Sequence, residues 1–434
     1  MSTSIPSSNI NPEPIPIVQV DAIIESPKPV RERIESIDLL RGIVMVIMML
    51  DHTRDFVHSG VFFFDPTDLT KTTSAVFFTR WITHFCAPVF VFLAGTGTYL
   101  QLARGKTKRE LSKFLVTRGI WLIFLELTVI KIGMWFNFDF RLLGTLQVIW
   151  VLGVSMIVLA ALIYLPLKVT AGFGMLMVFL HNSLDGIKVP GWQGPGSLVP
   201  SSTEKLWILL HQPPFNGFPV LGESSPVVVV IYPLIPWVGV MAVGYAFGAL
   251  YQMDRQQRRR WLVIIGGSAV ALFIALRAFD VYGDPSKWSL QKNALFTVWS
   301  FVNATKYPPS LLFLLMTLGP SILALAWFET FKTFASGLRK VLVTFGRVPL
   351  FFYLLQWYTA HLIGVVAGLI AGQSVAWQFE SPFDKFSNLP ATDSGFRLWI
   401  VYLCWIIGVL ALYPLCKWFA GVKARRKDWW LSYL

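Results

Sequence analysis

The sequence predicts an all-α integral membrane protein with about ten transmembrane helices and both termini in the cytoplasm. The 434-residue chain is 55% hydrophobic and only 14% charged, and its mean hydropathy of +0.59 excludes an ordinary soluble domain. Apolar runs long enough to cross a bilayer recur along the chain. Basic residues concentrate in alternate connections, a distribution typical of the positive-inside rule that predicts the orientation.

Three regions follow from the composition. Residues 1–33 are rich in Pro, Ser, Asn and Ile and contain no long apolar core, so we predict a disordered cytoplasmic tail and not a signal peptide. Residues 34–421 form the predicted multi-span membrane domain. Residues 422–434 combine basic and aromatic side chains, which predicts an interfacial C-terminal tail.

The first predicted span runs from Ser36 to Phe56, and nine further apolar runs follow it. These are Val76–Ala103, Leu111–Ile132, Gly144–Leu165, Leu167–His181, Val227–Tyr251, Trp261–Phe279, Pro309–Phe328, Val341–Ala371 and Arg397–Phe419. The run at Leu167 is the shortest, but omitting it would place the basic cluster Arg255–Arg260 on the outer side.

The sequence excludes several other classes of protein. The net charge of +13 is explained by basic inner loops, so no nucleic-acid partner is expected. Cys86, Cys404 and Cys416 lie in or beside apolar runs without paired spacing, which predicts neither a metal site nor a disulfide framework. Phosphate-binding loops, dinucleotide fingerprints and metal-ligand spacings are absent from the sequence.

The first span, SIDLLRGIVMVIMMLDHTRDF, is apolar but carries charges that are costly at membrane depth. In a helix, Arg41 and His52 lie about 20° apart around the axis and roughly 16 Å apart along it. Asp38, Met45, Met48 and Asp55 fall on the same face. This stripe should face a cavity and not lipid. Arg41 either extends to the interface or binds a phosphate-bearing donor, because a guanidinium matches phosphate oxygens.

All six histidines fall in the predicted outer half of the molecule, where an imidazole can transfer protons near neutral pH. His52 is the leading catalytic candidate, and its alternative role is to hydrogen-bond two helices together. His84 is either an active-site partner or structural. For His181 and His361 we favour structural roles, and we expect His58 and His211 to be solvated loop residues. Asp51 or Asp55 would orient the His52 imidazole.

Several stretches together resemble the bacterial members of the heparan-alpha-glucosaminide N-acetyltransferase-like family. They are SIDLLRGIVMVIMMLDHTRDF, RWITHFCAPVFVFLAG, VIWVLGVSM, HNSLDG, IYPLIPWVGVMAVGYAFG and KYPPSLLFLLMTLGP. The spacing of Arg41 and His52 is also similar to the first-helix motif of the type 3 membrane acyltransferases. The sequence departs from the family at Gln356, where relatives are expected to have His.

The resemblance implies a membrane acyltransferase of the bacterial inner membrane, embedded in the lipid bilayer. It would take acetyl groups from cytosolic acetyl-CoA, a co-substrate, and deliver them to a carbohydrate-type acceptor on the outer side, with no metal. The predicted catalytic residues are His52, His84, Asp51 and Asp55, and Arg41 and Asp38 would bind the donor. His52 would act as a general base or as an acetyl relay, and the sequence does not separate the two.

Two other classes of function remain open from the residues alone. A proton-coupled transporter would use His52, Asp55 and His84 as its proton relay and would form no new covalent bond. In a purely structural membrane protein, the polar stripe would only lock helices together, so His52→Ala would lower stability without changing any chemistry. The acceptor, the choice between O- and N-acetylation and the oligomeric state are not specified by the sequence.

Overall fold

The computed structural model describes residues 34–60, 63–212, 216–330, 336–381, 383, 394–426 and 428–434. This part of the chain is mostly helical, as the composition predicts. The predicted N-terminal tail, residues 1–33, lies outside the described residues.

The described helices are numbered here in chain order. They are α1 Glu35–Val57, α2 Ser74–Ile82, α3 Cys86–Ala103, α4 Lys108–Leu125, α5 Lys131–Trp135, α6 Val148–Leu162, α7 Leu167–Leu180, α8 Ser202–Leu210, α9 Trp237–Phe247, α10 Arg255–Phe279, α11 Ala294–Val302, α12 Leu311–Phe328, α13 Ser336–Arg347, α14 Pro349–Ile370 and α15 Leu398–Arg425. A 3-10 turn, Thr83–Phe85, joins α2 to α3, and a π-helical segment, Glu126–Ile130, joins α4 to α5.

Six helices in the described part of the chain are long and apolar enough to cross a membrane. They are Ser74–Ala103, Leu167–Leu184, Arg255–Phe279, Leu311–Phe328, Pro349–Ile370 and Leu398–Arg425. α1 is not among them because charged residues occupy both of its ends, although its 23 residues extend about 35 Å, enough to cross a bilayer. The protein is therefore an integral membrane protein, and the predicted count of about ten spans stays a prediction.

Three predicted span boundaries are wrong. The run predicted to begin at Gly144 starts as strand β1, Leu142–Leu146, and the run from Val227 starts as strand β3, Val227–Val230. β3 lies between β1, to which it is parallel, and antiparallel β2, Asn216–Pro219. A short apolar run rich in Val fits a strand as well as a helix, so hydrophobicity alone does not show where the helix begins.

The predicted span Val341–Ala371 is two helices. α13 ends at Arg347, Val348 has a non-helical conformation, and Pro349 begins α14. Proline lacks a backbone N–H and restricts the residue before it, so it breaks the helix here and starts the next one.

α1 lies in the middle of the bundle and packs against α13, α14 and α15, with further contacts to α3 and α12. Its approach to α13 requires glycine at two positions. A Cβ atom at Gly42 would overlap the backbone oxygen of Leu342, and one at Gly346 would overlap that of Asp38. Small residues allow helix backbones to approach this closely in membrane proteins. The polar residues of α1 are thereby held inside the protein.

Candidate functional site

Four charged side chains form a cluster near the Val57 end of α1, here called the Asp51 cluster: Asp51, Arg54, Asp55 and Arg80. Asp51 accepts a hydrogen bond from Nη1 of Arg80, which lies on α2. Arg54 Nη2 lies 3.0 Å from Asp51 Oδ1 and 2.7 Å from Asp55 Oδ1. The Arg54 side chain is only 5% exposed. Both predicted catalytic carboxylates therefore pair with arginines, which reduces the cost of burying these charges.

His52 lies on a different side of α1, against α14. Its ring stacks on Trp357 at a centroid distance of 3.8 Å, and Tyr353 meets it edge-on at 6.5 Å. Nδ1 is buried, and neither ring nitrogen forms a hydrogen bond with a described residue. The expected hydrogen bond to Asp51 or Asp55 is absent, since Arg54 and Arg80 occupy those carboxylates. Aromatic packing orients the imidazole instead.

His84 is 2% exposed and lines a cavity of about 620 Å³ at the same end of α1. Its Nδ1 is buried without a hydrogen-bond partner in the described structure, and its ring lies 5.3 Å from that of Phe313. The cavity is lined by Arg54, Phe63, Phe64, Asp65, Pro66, Thr67, Arg80, His84, Ser286, Asn303, Ala304, Thr305, Lys306 and Tyr307. The structure thus brings His84 and the Asp51 cluster to one cavity.

Lys306 and Tyr307 form part of the cavity wall and precede α12. The Tyr307 ring lies 5.3 Å from that of Tyr232, and Lys306 Nζ lies 5.1 Å from the Tyr307 ring centroid. Burial raises the pKa of the Tyr307 hydroxyl, but the Lys306 and Arg80 cations outweigh burial and hold the pKa below its usual range. Lys306 also interacts electrostatically with Asp51, His52 and His84.

At the Glu35 end of α1, Arg41 Nη2 donates to the backbone oxygen of Leu93 at 2.7 Å. Arg41 Nη1 lies 3.9 Å from Asp38 Oδ1, and the Arg41 side chain remains 21% exposed. Arg118 on α4 is close enough to interact electrostatically with Arg41 and donates to the backbone oxygen of Ser432. The two predicted donor-binding residues therefore lie together beside a second guanidinium.

The other histidines have structural contacts. His181 contacts the backbone oxygens of Val178 and Pro309, at 2.9 and 2.8 Å. His361 Nδ1 lies 3.1 Å from the Gly133 oxygen, and His58 Nδ1 accepts from the backbone N–H of Gly60. These contacts agree with the structural roles that we favoured for His181 and His361.

The prediction that His211 is a solvated loop residue is wrong. His211 is 2% exposed and pairs with Asp185 at 2.9 Å. Asp185 also accepts a hydrogen bond from Asn182, whose own oxygen accepts from the N–H of Leu311 at the start of α12. The HNSLDG stretch therefore links the end of α8, through His211, to the start of α12, through Leu311.

Sequence reasoning assigned no role to four residues that line the cavity, namely Arg54, Arg80, Lys306 and Tyr307. Arg80 carried a usable signal, because an arginine inside a predicted span needs a partner or a function. Lys306 and Tyr307 stand in the proline-rich run Lys306–Ser310, and such breaks often line a cavity. The sequence does not indicate that this cavity would lie at α1 and α2. Within the described ranges, no group of three or more His, Cys, Asp or Glu side chains is arranged to hold a metal ion.

Comparison with known proteins agrees with the sequence resemblance. A family model described as "Heparan-alpha-glucosaminide N-acetyltransferase, catalytic" matches residues 33–277. The matched range contains α1 to α3, and with them His52, His84 and the Asp51 cluster. No curated protein matches the chain.

Proposed function

The chain belongs to the heparan-alpha-glucosaminide N-acetyltransferase family, and on that premise we propose that it transfers acetyl from cytosolic acetyl-CoA to a carbohydrate-type acceptor across the bacterial inner membrane. The family is one of acetyltransferases, and the apolar helices make the protein an integral membrane protein. In the proposed orientation both termini are cytoplasmic, so the Glu35 end of α1 faces the cytoplasm and the Val57 end faces outward.

One observation carries the assignment of the reacting groups. In the part of the chain that the structure describes, His52 and His84 form no hydrogen bond, whereas the other four histidines each do. His211 Nδ1 and His361 Nε2 form no hydrogen bond with a described residue, but the bond at the other nitrogen fixes each ring in a structural contact. His84 lines the cavity, and His52 is close enough to interact electrostatically with Lys306 in the cavity wall. Imidazoles without hydrogen-bond partners are available for proton transfer.

Acetyl-CoA is too highly charged to cross the bilayer, so its nucleotide would remain at the Glu35 end. Arg41, with Arg118 nearby, supplies guanidinium groups suited to phosphate oxygens, and Asp38 holds the Arg41 side chain. The pantetheine arm would then extend along α1 toward His52. Arg41 and His52 are separated along the helix by roughly 16 Å.

In the direct reaction, the His52 imidazole takes the proton from the acceptor hydroxyl or amine as that atom bonds to the thioester carbonyl carbon. The carbon–sulfur bond breaks, and the proton passes to the leaving CoA thiolate. In the relay reaction, the imidazole nitrogen attacks the thioester carbonyl carbon, the carbon–sulfur bond breaks, and the CoA thiolate leaves with the imidazole proton. The acceptor then attacks the acetyl carbon, the carbon–nitrogen bond breaks, and the acceptor proton returns to the imidazole. His84 faces the acceptor cavity, while Asp51 and Asp55 position Arg80 and Arg54.

The proposal is tested by transfer of radiolabel from acetyl-CoA to envelope glycans in membranes that contain the protein. His52→Gln should lower the rate about 10²- to 10⁴-fold, the usual contribution of a general base. His58→Asn is the matched control, because His58 is also near the Val57 end of α1 but is hydrogen-bonded to Gly60. Each variant is first shown to fold by its thermal unfolding in detergent.

Labelled protein trapped in the absence of acceptor would identify the relay reaction. Full transfer by His52→Gln would contradict the role of His52. No label in any acceptor, with folded protein, would overturn the acetyltransferase proposal. The next experiment would then measure substrate flux, to test the proton-coupled transporter.

A further inference from the structure

The cavity wall carries three cations, and only two of them form ion pairs with carboxylates in the described structure. Arg54 and Arg80 are both paired, through Asp51 and Asp55. Lys306 lies in the same wall and forms no ion pair with any residue that the structure describes; its Nζ lies 5.1 Å from the centroid of the Tyr307 ring. A half-buried ammonium of this kind attracts an anion.

The backbone on either side of Lys306 is held in place by partly buried hydrogen bonds. Arg277, only 1% exposed, donates to the backbone oxygens of Phe301 and Asn303 at 2.9 and 3.0 Å, just before Lys306. Asp284 accepts from the N–H of Thr305 at 2.8 Å and from the Ser310 hydroxyl at 2.6 Å, on either side of Lys306. A side chain carried by a fixed backbone segment can select a ligand by position as well as charge.

The acidic residue in the lining does not neutralise Lys306. Asp65 is exposed, and its Oδ1 accepts from the N–H and hydroxyl of Thr67, each at 2.8 Å. The Asp65 carboxylate is therefore hydrogen-bonded within its own loop and forms no ion pair with Lys306 in the described structure. Inside the cavity, Lys306 is near His84 and Asp51, next to the proposed site of transfer.

We propose that Lys306 is the anion-binding residue of the acceptor site, and that the acceptor is a sugar carrying a phosphate or carboxylate group. This inference rests on the proposed function, because it treats the cavity as the acceptor site. Binding of that anion by Lys306 would hold the acceptor with its reacting hydroxyl or amine toward the histidines. Lys306 is then a specificity-determining residue and not a proton-transfer residue.

The test measures binding to the purified full-length protein in neutral detergent without acetyl-CoA. The probes are glucosamine 6-phosphate against glucosamine, and glucuronic acid against glucose. We expect at least one anionic sugar to bind about tenfold more tightly than its neutral counterpart, the size of one charge-assisted hydrogen bond. Lys306→Met should abolish that preference, Lys306→Arg should retain most of it, and neutral-sugar binding should be unchanged.

Lys287→Met is the matched control, because Lys287 is exposed on the preceding connection, between α10 and α11, and does not line the cavity. Equal binding of anionic and neutral sugars by the unmodified protein would overturn the inference, and this result does not depend on any variant folding. A preference that survives in folded Lys306→Met, or is lost equally in Lys287→Met, would overturn it too. Binding of phosphatidylglycerol vesicles without any binding of anionic sugars would identify a lipid headgroup as the ligand. That result would also contradict the inference.

Because binding is measured without the donor, its outcome is separate from that of the transfer assay. An anion preference without acetyl transfer would remove the proposed function and keep the anion site. Acetyl transfer to neutral and anionic sugars at equal rates, unaffected by Lys306→Met, would keep the function and remove the anion site.

Discussion

Replacing Asp51 with asparagine separates a role in the ion-pair cluster from a role in orienting His52. Asp51 is 13% exposed and contacts two guanidinium groups, those of Arg54 and Arg80. Asp55 still pairs with Arg54 in the variant, so Arg80 is the cation left without its carboxylate. Removing one partner of a buried pair costs about 3–5 kcal/mol, so Asp51→Asn should lower the free energy of unfolding by that amount.

Arg80→Met should cost a similar amount, since it leaves Asp51 with only Arg54. The double variant removes both charges, so its loss should be smaller than the sum of the single losses by about 2 kcal/mol or more. The measurement is denaturant unfolding in micelles, followed by the fluorescence of the 18 tryptophans. Asp428→Asn is the control, because Asp428 is exposed and caps no helix with its side chain.

Strictly additive losses would refute the ion-pair reasoning. If Asp51→Asn keeps its stability but loses most of its acetyl transfer, the result would instead support the expectation that Asp51 orients His52. It would contradict the role of Asp51 that its contacts with Arg54 and Arg80 indicate.

Two further predictions concern buried positions. Glu126 accepts a hydrogen bond from the backbone N–H of Trp150 at 2.9 Å, at the start of α6. Glu126→Leu should therefore lower the free energy of unfolding by about 3 kcal/mol, and Glu126→Gln by much less, as measured by denaturant unfolding. Equal losses in the two variants would contradict this capping role. Gly346→Ala should cost about 1–3 kcal/mol because its methyl group meets the Asp38 carbonyl, whereas Gly337→Ala, with open space around it, should be neutral or slightly stabilising in the same measurement.

The sequence by itself determined the class of the protein and the special character of α1. Hydropathy identified a helical membrane protein because burial of apolar side chains in lipid depends on composition and length. Charges in the first apolar run predicted that this helix would face the protein interior. Asp38, which is 2% exposed, agrees with that prediction.

Only the tertiary structure decided which polar groups meet. Helical spacing predicted that Asp51 or Asp55 would serve His52, but α2 supplies Arg80 to Asp51 and α14 supplies Trp357 to His52. Lys306 reaches the cavity from a connection more than two hundred residues away along the chain. Periodicity fixes directions around one helix axis, whereas the partner in each direction depends on how distant helices pack.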